Sequence, residues 1–192
     1  MKSPVLVGPR GSGKTTVGKT VASMLSYPFV DADEEFVRCY GAITNFVHAY
    51  GWEAFRKQET ELIADICRAY QSNRIVLAPG GGAVAHDNEI QYRNRNVEQL
   101  RKFGAVFYLL PYPDLKQSTL VLAARVQNDE ASVSSRPPLT ACSDASNEML
   151  KILEQRNGLY IIAAHHTLYT GEKLPAEVAR EVIAVYERII VK

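Results

Sequence analysis

Gly8-Pro9-Arg10-Gly11-Ser12-Gly13-Lys14-Thr15 is the stretch whose reading decides the fold of this chain. It fits the phosphate-binding pattern G-x-x-x-x-G-K-[ST]. A short apolar run, Val5-Leu6-Val7, stands before it, and a helical pattern through Val17, Val21, Ala22 and Leu25 follows. That strand–loop–helix setting is what the pattern requires, and a plain Gly-rich surface turn would need neither flank. Gly8, Gly11 and Gly13 let backbone N–H groups curl around an anion, and the helix N-terminus adds partial positive charge. Lys14 reaches toward the outer phosphates, and the Thr15 hydroxyl can ligand magnesium. With Ser12 and Thr16 these residues make the expected nucleotide-binding set. The ligand implied is a nucleoside triphosphate with Mg2+.

Outward from the loop, strands alternate with helices. Phe29-Val30-Asp31 follows the first helix, and helical segments run from about Glu34 to Gln71. Ile75-Val76-Leu77-Ala78 and Val106-Phe107-Tyr108-Leu109-Leu110 are nearly continuous apolar runs, as expected of parallel strands covered on both faces. Thr167-Leu168-Tyr169 is a weaker fifth strand. A last helix starts near Pro175, with Val178, Val182, Val185 and Ile189 as its buried stripe. His165-His166 reads as the end of the preceding helix and has no metal-ligand spacing. The expected fold is a single α/β domain over residues 1–192, a doubly wound five-stranded parallel sheet.

Asp31-Ala32-Asp33 closes the second strand. Residues two apart on a strand face one side, so both carboxylates are expected in the crevice beyond the strand ends. Asp31 is placed to hold magnesium through water, and Asp33 to accept a hydrogen bond from a substrate hydroxyl. N-capping of the next helix is a second role for Asp33. Arg56 and Glu59, three apart on a helix, allow the carboxylate to hold the guanidinium in place. A fixed guanidinium grips a carboxylate with two parallel bonds, which lysine cannot do. Gly80-Gly81-Gly82 weakens a strand end and makes sense where a ligand approaches the backbone closely. Arg125 and Arg136 bracket a polar segment, Gln127 to Ser135, that can bury no core face. Arginines on a closing loop can stack on a base or stabilise a phosphoryl group in flight. Arg156 lies on a long helix and would be unremarkable alone.

Together these points identify a resemblance to the shikimate kinases across essentially the whole chain. It is carried by the phosphate loop, Val30-Asp31-Ala32-Asp33, Phe55-Arg56 with Glu59, Gly80-Gly81-Gly82-Ala83, Arg136-Pro137, and Arg156 four residues before Tyr160. The resemblance implies a P-loop kinase fold like that of nucleoside-monophosphate kinases, with a substrate-binding helical segment at about 32–60 and a mobile lid at about 125–140. It implies ATP-dependent phosphorylation of the 3-hydroxyl of shikimate, a step toward chorismate and the aromatic amino acids. By the same likeness Asp33, Arg56, Gly80, Gly81, Gly82, Arg136 and Arg156 fall at shikimate-binding positions, and Glu59 orients Arg56. Lys14 and Arg136 match the cations on the transferred phosphoryl group, which with Asp33 form the catalytic set. Thr15 and Asp31 match the magnesium site, and Arg125 and Lys173 the adenine contacts. Pro79, just before the glycines, departs from the family, which often has Thr there.

Composition excludes other classes. Net charge is +1, so no global field draws nucleic acid or an anionic membrane. Apolar runs are too short to span a bilayer. No leader is expected ahead of the first strand, and Cys39, Cys67 and Cys142 read as reduced thiols, so a cytoplasmic monomer is expected. A gluconate-type sugar-acid kinase would also need a carboxylate-binding arginine, but the triple glycine and Arg136-Pro137 argue against it. A binding protein without catalysis should have lost Lys14, Asp33 or a lid arginine, and all are present. If 126–135 is a lid, its amides should gain hydrogen-exchange protection when an ATP analogue and shikimate are both added. Unchanged protection would place closure elsewhere.

Overall fold

The apolar runs on either side of the phosphate loop pair directly. In the computed structural model, which describes residues 2–127 and 145–190 (backbone alone for 145–148), Ser3–Val7 (β1) lies beside Gly104–Leu110 (β4) over its whole length, from Ser3 opposite Gly104 to Val7 opposite Tyr108. Val76–Ala78 (β3) flanks β1 on the other side, Phe29–Asp31 (β2) flanks β3, and His166–Tyr169 (β5) flanks β4. The order is β2-β3-β1-β4-β5, every pair parallel. The doubly wound five-stranded sheet expected from the sequence is the fold observed.

The helices are Lys14–Leu25 (α1), Ala32–Tyr40 (α2), Ile43–Ala69 (α3), Ile90–Phe103 (α4), Leu115–Gln127 (α5), Ala145–Ala163 (α6) and Pro175–Ile190 (α7). Strand alternation splits the core into two layers. Val5, Val7, Val106, Tyr108 and Leu110 face α3, α4 and α6, meeting Ile63, Leu100 and Tyr160. Leu6, Val76, Phe107 and Leu109 face α1 and α7, meeting Val17, Val21, Val178 and Val182. Each fully buried side chain of this size contributes about 1.5–3 kcal/mol of transfer free energy.

β1 is the strand at which the chain reverses direction across the sheet, with β2 and β3 on one side and β4 and β5 on the other. In open α/β sheets the ligand crevice opens beyond the carboxyl end of such a strand. The phosphate loop follows β1 and the triple glycine follows β3, so both sit on that crevice.

Two local expectations need correction. β2 stops at Asp31 and α2 begins at Ala32, so the two aspartates are not successive same-face residues of one strand. Asp31, not Asp33, is the N-cap: its Oδ1 accepts the Asp33 N–H at 3.0 Å. The cause is the unpaired first N–H groups of α2, which a carboxylate just ahead of the helix satisfies. His165-His166 is not the helix end either, since α6 stops at Ala163. The edge of β4 needs partners there: His165 N–H donates to the Val106 carbonyl at 2.8 Å, and Val106 N–H donates to His165 Nδ1 at 3.0 Å. The several helical segments expected after β2 are present, and Gly51, with φ 84° and ψ 168° inside α3, turns the chain between two of them. Arg136, Cys142 and the lid segment beyond Gln127 lie outside the described residues. Among those described, Cys39 and Cys67 are free thiols, and no helix is long and apolar enough to cross a membrane.

Candidate active site

The phosphate loop is shaped by backbone that only glycine adopts easily. Gly8, Gly11 and Gly13 have φ of 152°, 79° and 91°. A Cβ at Gly8 would also stand 2.6 Å from the Leu109 carbonyl, so the loop starts pressed against β4. Lys14 opens α1, and its Nζ donates to the carbonyls of Gly8 and Pro9, both at 2.9 Å, folding the ammonium over the loop. Thr15 donates its hydroxyl proton to Asp31 Oδ2 at 2.9 Å, which joins the first turn of α1 to the end of β2.

Two cavities meet at this loop. The larger, about 570 Å3, is lined by Gly11 to Thr16, Asp31 and Pro79, and at its far end by Arg125, Thr170 and Lys173. Arg125 sits near the end of α5 and spans the cavity wall, donating to the carbonyls of Gly171 at 3.0 Å and Gly11 at 3.4 Å. Lys173 pairs with Glu181 at 2.7 Å. The smaller cavity, about 110 Å3, is lined by Asp33, Arg56, Glu59, Gly81, Gly82 and Arg156, with an apolar wall that includes Trp52 and Leu153. Arg10 and Asp33 border both.

In the smaller cavity the chemistry centres on a buried ion pair. Arg56 Nη1 donates to Glu59 Oε2 at 2.8 Å, with side chains only 11% and 5% exposed. Burial pushes the Glu59 carboxyl above its usual value, Asp33 adds to this, and Arg56 pulls the other way. The guanidinium lies over the rings of Phe55 at 5.0 Å and Trp52 at 5.4 Å, an added attraction to the aromatic faces. Charged groups crowd the triple glycine. A Cβ on Gly80 would stand 2.5 Å from Asp33 Oδ1 and 2.8 Å from Glu59 Oε1, and one on Gly82 would stand 2.6 Å from Arg56 Nη2. At Gly81 a Cβ would lie 3.8 Å from Lys14 Nζ, so the glycine turn brings the phosphate lysine to the seam between cavities. The turn is held by Ala83 N–H to Gly80 O at 3.0 Å, and from α4 by Asn96 Nδ2 to Ala83 O at 2.9 Å.

The expected nucleotide set from Gly11 to Thr16, with Arg125 and Lys173, therefore lines one cavity, while Gly8 is not part of its lining. Asp33, Arg56, Gly81, Gly82 and Arg156 line the other, and Gly80 abuts its carboxylates. Arg136 falls outside the described residues. Sequence reasoning passed over Trp52, Arg10 and Asn96. Trp52 had a signal in standing four residues before Arg56, one helical turn away. Asn96 had none, because its role depends on α4 packing beside the turn.

A cavity floored by a P-loop, bordered through Arg10 and Asp33 by a smaller cavity that holds a buried Arg–Glu pair, defines a P-loop phosphotransferase. A sequence model of the family described as shikimate kinase matches residues 10–187. Shikimate kinase 2 of Yersinia pseudotuberculosis is 34% identical over 189 residues, covering 97% of each chain. The solved shikimate kinase of Acinetobacter baumannii, in complex with shikimate, superposes with a TM-score of 0.82 at 28% identity, covering 100% of this chain and 96% of that one. The Aquifex aeolicus shikimate kinase gives 0.73 at 26%, covering 98% of each. The chain belongs to the shikimate kinase family and is a kinase.

Gly82→Ala tests the geometry of the small cavity. The added methyl must push the Arg56 guanidinium aside, and phosphotransfer is expected to fall about 10²-fold, as for other misplacements of roughly 1 Å. Circular dichroism should stay that of the parent, and a near-parental rate would show that Arg56 does not need its position.

Proposed function

We propose that this protein transfers the γ-phosphoryl group of ATP to the 3-hydroxyl of shikimate, with Mg2+. The reading is carried by one observation: the Arg56–Glu59 pair, with Asp33 and Arg156, lines a small cavity that borders the phosphate-loop cavity through Arg10 and Asp33. Shikimate is a ring carboxylic acid with neighbouring hydroxyls. Arg56, held by Glu59, presents its fork to the carboxylate, and Arg156 adds a second guanidinium. Gly80 to Gly82 let the ring approach backbone without steric cost. Asp33, at the seam, accepts the hydrogen bond of the reacting hydroxyl and takes up its proton as the oxygen attacks phosphorus.

In the larger cavity, backbone N–H groups from Gly11 to Thr15 cradle the β-phosphate at the start of α1. Lys14 and, in the segment beyond the described residues, Arg136 meet the negative charge that spreads over the transferring group. Arg125 and Lys173 flank the adenine. Thr15 Oγ1 and Asp31 Oδ2 lie 2.9 Å apart beside the loop, one hydroxyl and one carboxylate. That oxygen set suits Mg2+, which is commonly held by one or two protein groups together with nucleotide phosphates and water. When bound, the ion offsets phosphate charge. Every other step is done by the chain's own residues.

A coupled assay of ADP release with shikimate, quinate and gluconate side by side tests the reading, with turnover expected on shikimate and a gluconate preference overturning it. Two variants refine it. Lys14→Ala should lower kcat about 10²-fold or more while shikimate still binds, because the lysine acts on charge that develops during transfer. Arg56→Lys retains the charge and loses the fork, so the KM for shikimate should rise much more than the KM for ATP. Equal rises for both substrates would assign Arg56 a structural role with Glu59.

A further inference from the structure

Arg10 has no part in the chemistry above, yet it stands where that chemistry has to pass. Among the described residues two line both cavities, Arg10 and Asp33. A phosphoryl group that leaves an occupant of the larger cavity for an occupant of the smaller one crosses this shared border. Asp33 is the acceptor there, taking the proton of the attacking hydroxyl. The other bordering group is a guanidinium, which can only donate.

Local structure puts an arginine of the phosphate loop at this border. Ser12 N–H donates to the Pro9 carbonyl at 3.2 Å, closing a turn with Arg10 in second place. Gly11, in third place, has the positive φ of 79° that glycine supplies in such turns. Arg10 thus stands at the crest of the loop, half-buried. Its backbone faces the triple glycine, since a Cβ on Gly81 would lie 3.9 Å from Arg10 N and 3.8 Å from Lys14 Nζ. Lys14 Nζ donates to the carbonyls of Gly8 and Pro9, just ahead of Arg10. Two cationic residues of the loop therefore flank the glycine turn, an ammonium folded over the loop and a guanidinium that lines both cavities.

We propose that Arg10 is a further catalytic residue, whose guanidinium donates to the phosphoryl oxygens while the group crosses from ATP to the acceptor hydroxyl. This rests on the reading that shikimate is phosphorylated. In the transfer the substrate oxygen bonds to the γ-phosphorus, and its proton passes to Asp33. The bond from that phosphorus to the β,γ-bridging oxygen breaks, and its electron pair stays on ADP. Negative charge spreads over the non-bridging oxygens of the group on the way. A planar fork meets two of them at once, which an ammonium does not. Donors fixed where charge develops act on the barrier more than on binding.

Arg10→Met keeps the length and apolar stem of the side chain and removes its donors. In the full chain with MgATP and shikimate, kcat is expected to fall about 10²-fold, the scale for one lost preorganised donor. The KM for shikimate and the Kd for a non-hydrolysable ATP analogue should stay within about threefold of the parent. Arg10→Lys, which keeps the charge without the fork, should lose about tenfold in kcat. Aluminium fluoride, a mimic of the planar phosphoryl group, supplies a readout that a merely structural role would not move. With MgADP and shikimate it should tighten nucleotide binding to the parent, and that gain should shrink in Arg10→Met while MgADP alone binds as before. A kcat in Arg10→Met within about threefold of the parent overturns the proposal. So does a loss that weaker binding of the ATP analogue accounts for, which would assign Arg10 to the ground state. If circular dichroism shows Arg10→Met unfolded, Arg10→Lys decides, and a parental kcat there overturns the proposal. A parent that turns over gluconate and leaves shikimate untouched fails the substrate reading, and this assignment with it.

Discussion

Arg56 and Glu59 lie 2.8 Å apart with almost no exposure to water, and the site is arranged around the difficulty of keeping them there. Desolvating two charges costs several kcal/mol per ion, recovered only when geometry is good and remaining polar atoms find partners. The pair answers this by adjacency on one helix, one turn apart, so neither group searches far for the other. Phe55 and Trp52 cover the guanidinium with aromatic faces. What is gained is a cation whose fork does not wander. A surface arginine would have to be ordered at each binding event, and that ordering would come out of the affinity.

The triple glycine is the other side of the same constraint. Where side chains would project from Gly80 and Gly82, Asp33, Glu59 and Arg56 already stand within 2.5–2.8 Å. The glycines matter here for the room they leave, since none of the three has the positive φ that marks the phosphate-loop glycines. Asn96 from α4 and the hydroxyl of Tyr160 from α6 then hold that bare turn from two directions. A turn with no side chains of its own is thus fixed by side chains of its neighbours.

The sheet gives these pieces their common origin. The switch in winding at β1 leaves a crevice at the strand ends, and the loops after β1 and β3 both open onto it. The phosphate loop and the cavity that holds the Arg56–Glu59 pair are therefore adjacent by topology. Asp31 serves local structure as well as the site, since its two oxygens separately cap α2 and meet Thr15.

What the sequence by itself determined is what local physics dictates. The eight residues from Gly8 to Thr15 demand a strand before and a helix after, and the continuous apolar runs at 75–78 and 106–110 demand parallel neighbours covered on both faces. Arg56 and Glu59 were legible as a pair because helical spacing is a local rule. The resemblance to a known family extended this to Lys173 and Arg156, which no local pattern marks. Tertiary structure alone decided where β2 gives way to α2, and so which aspartate caps and which faces the seam. It alone turned His165 to the edge of β4, brought Asn96 behind the glycine turn and joined Tyr160 to Gly81. Each of these depends on contacts between residues far apart in the chain, which become neighbours only once the sheet is assembled and the helices pack on it.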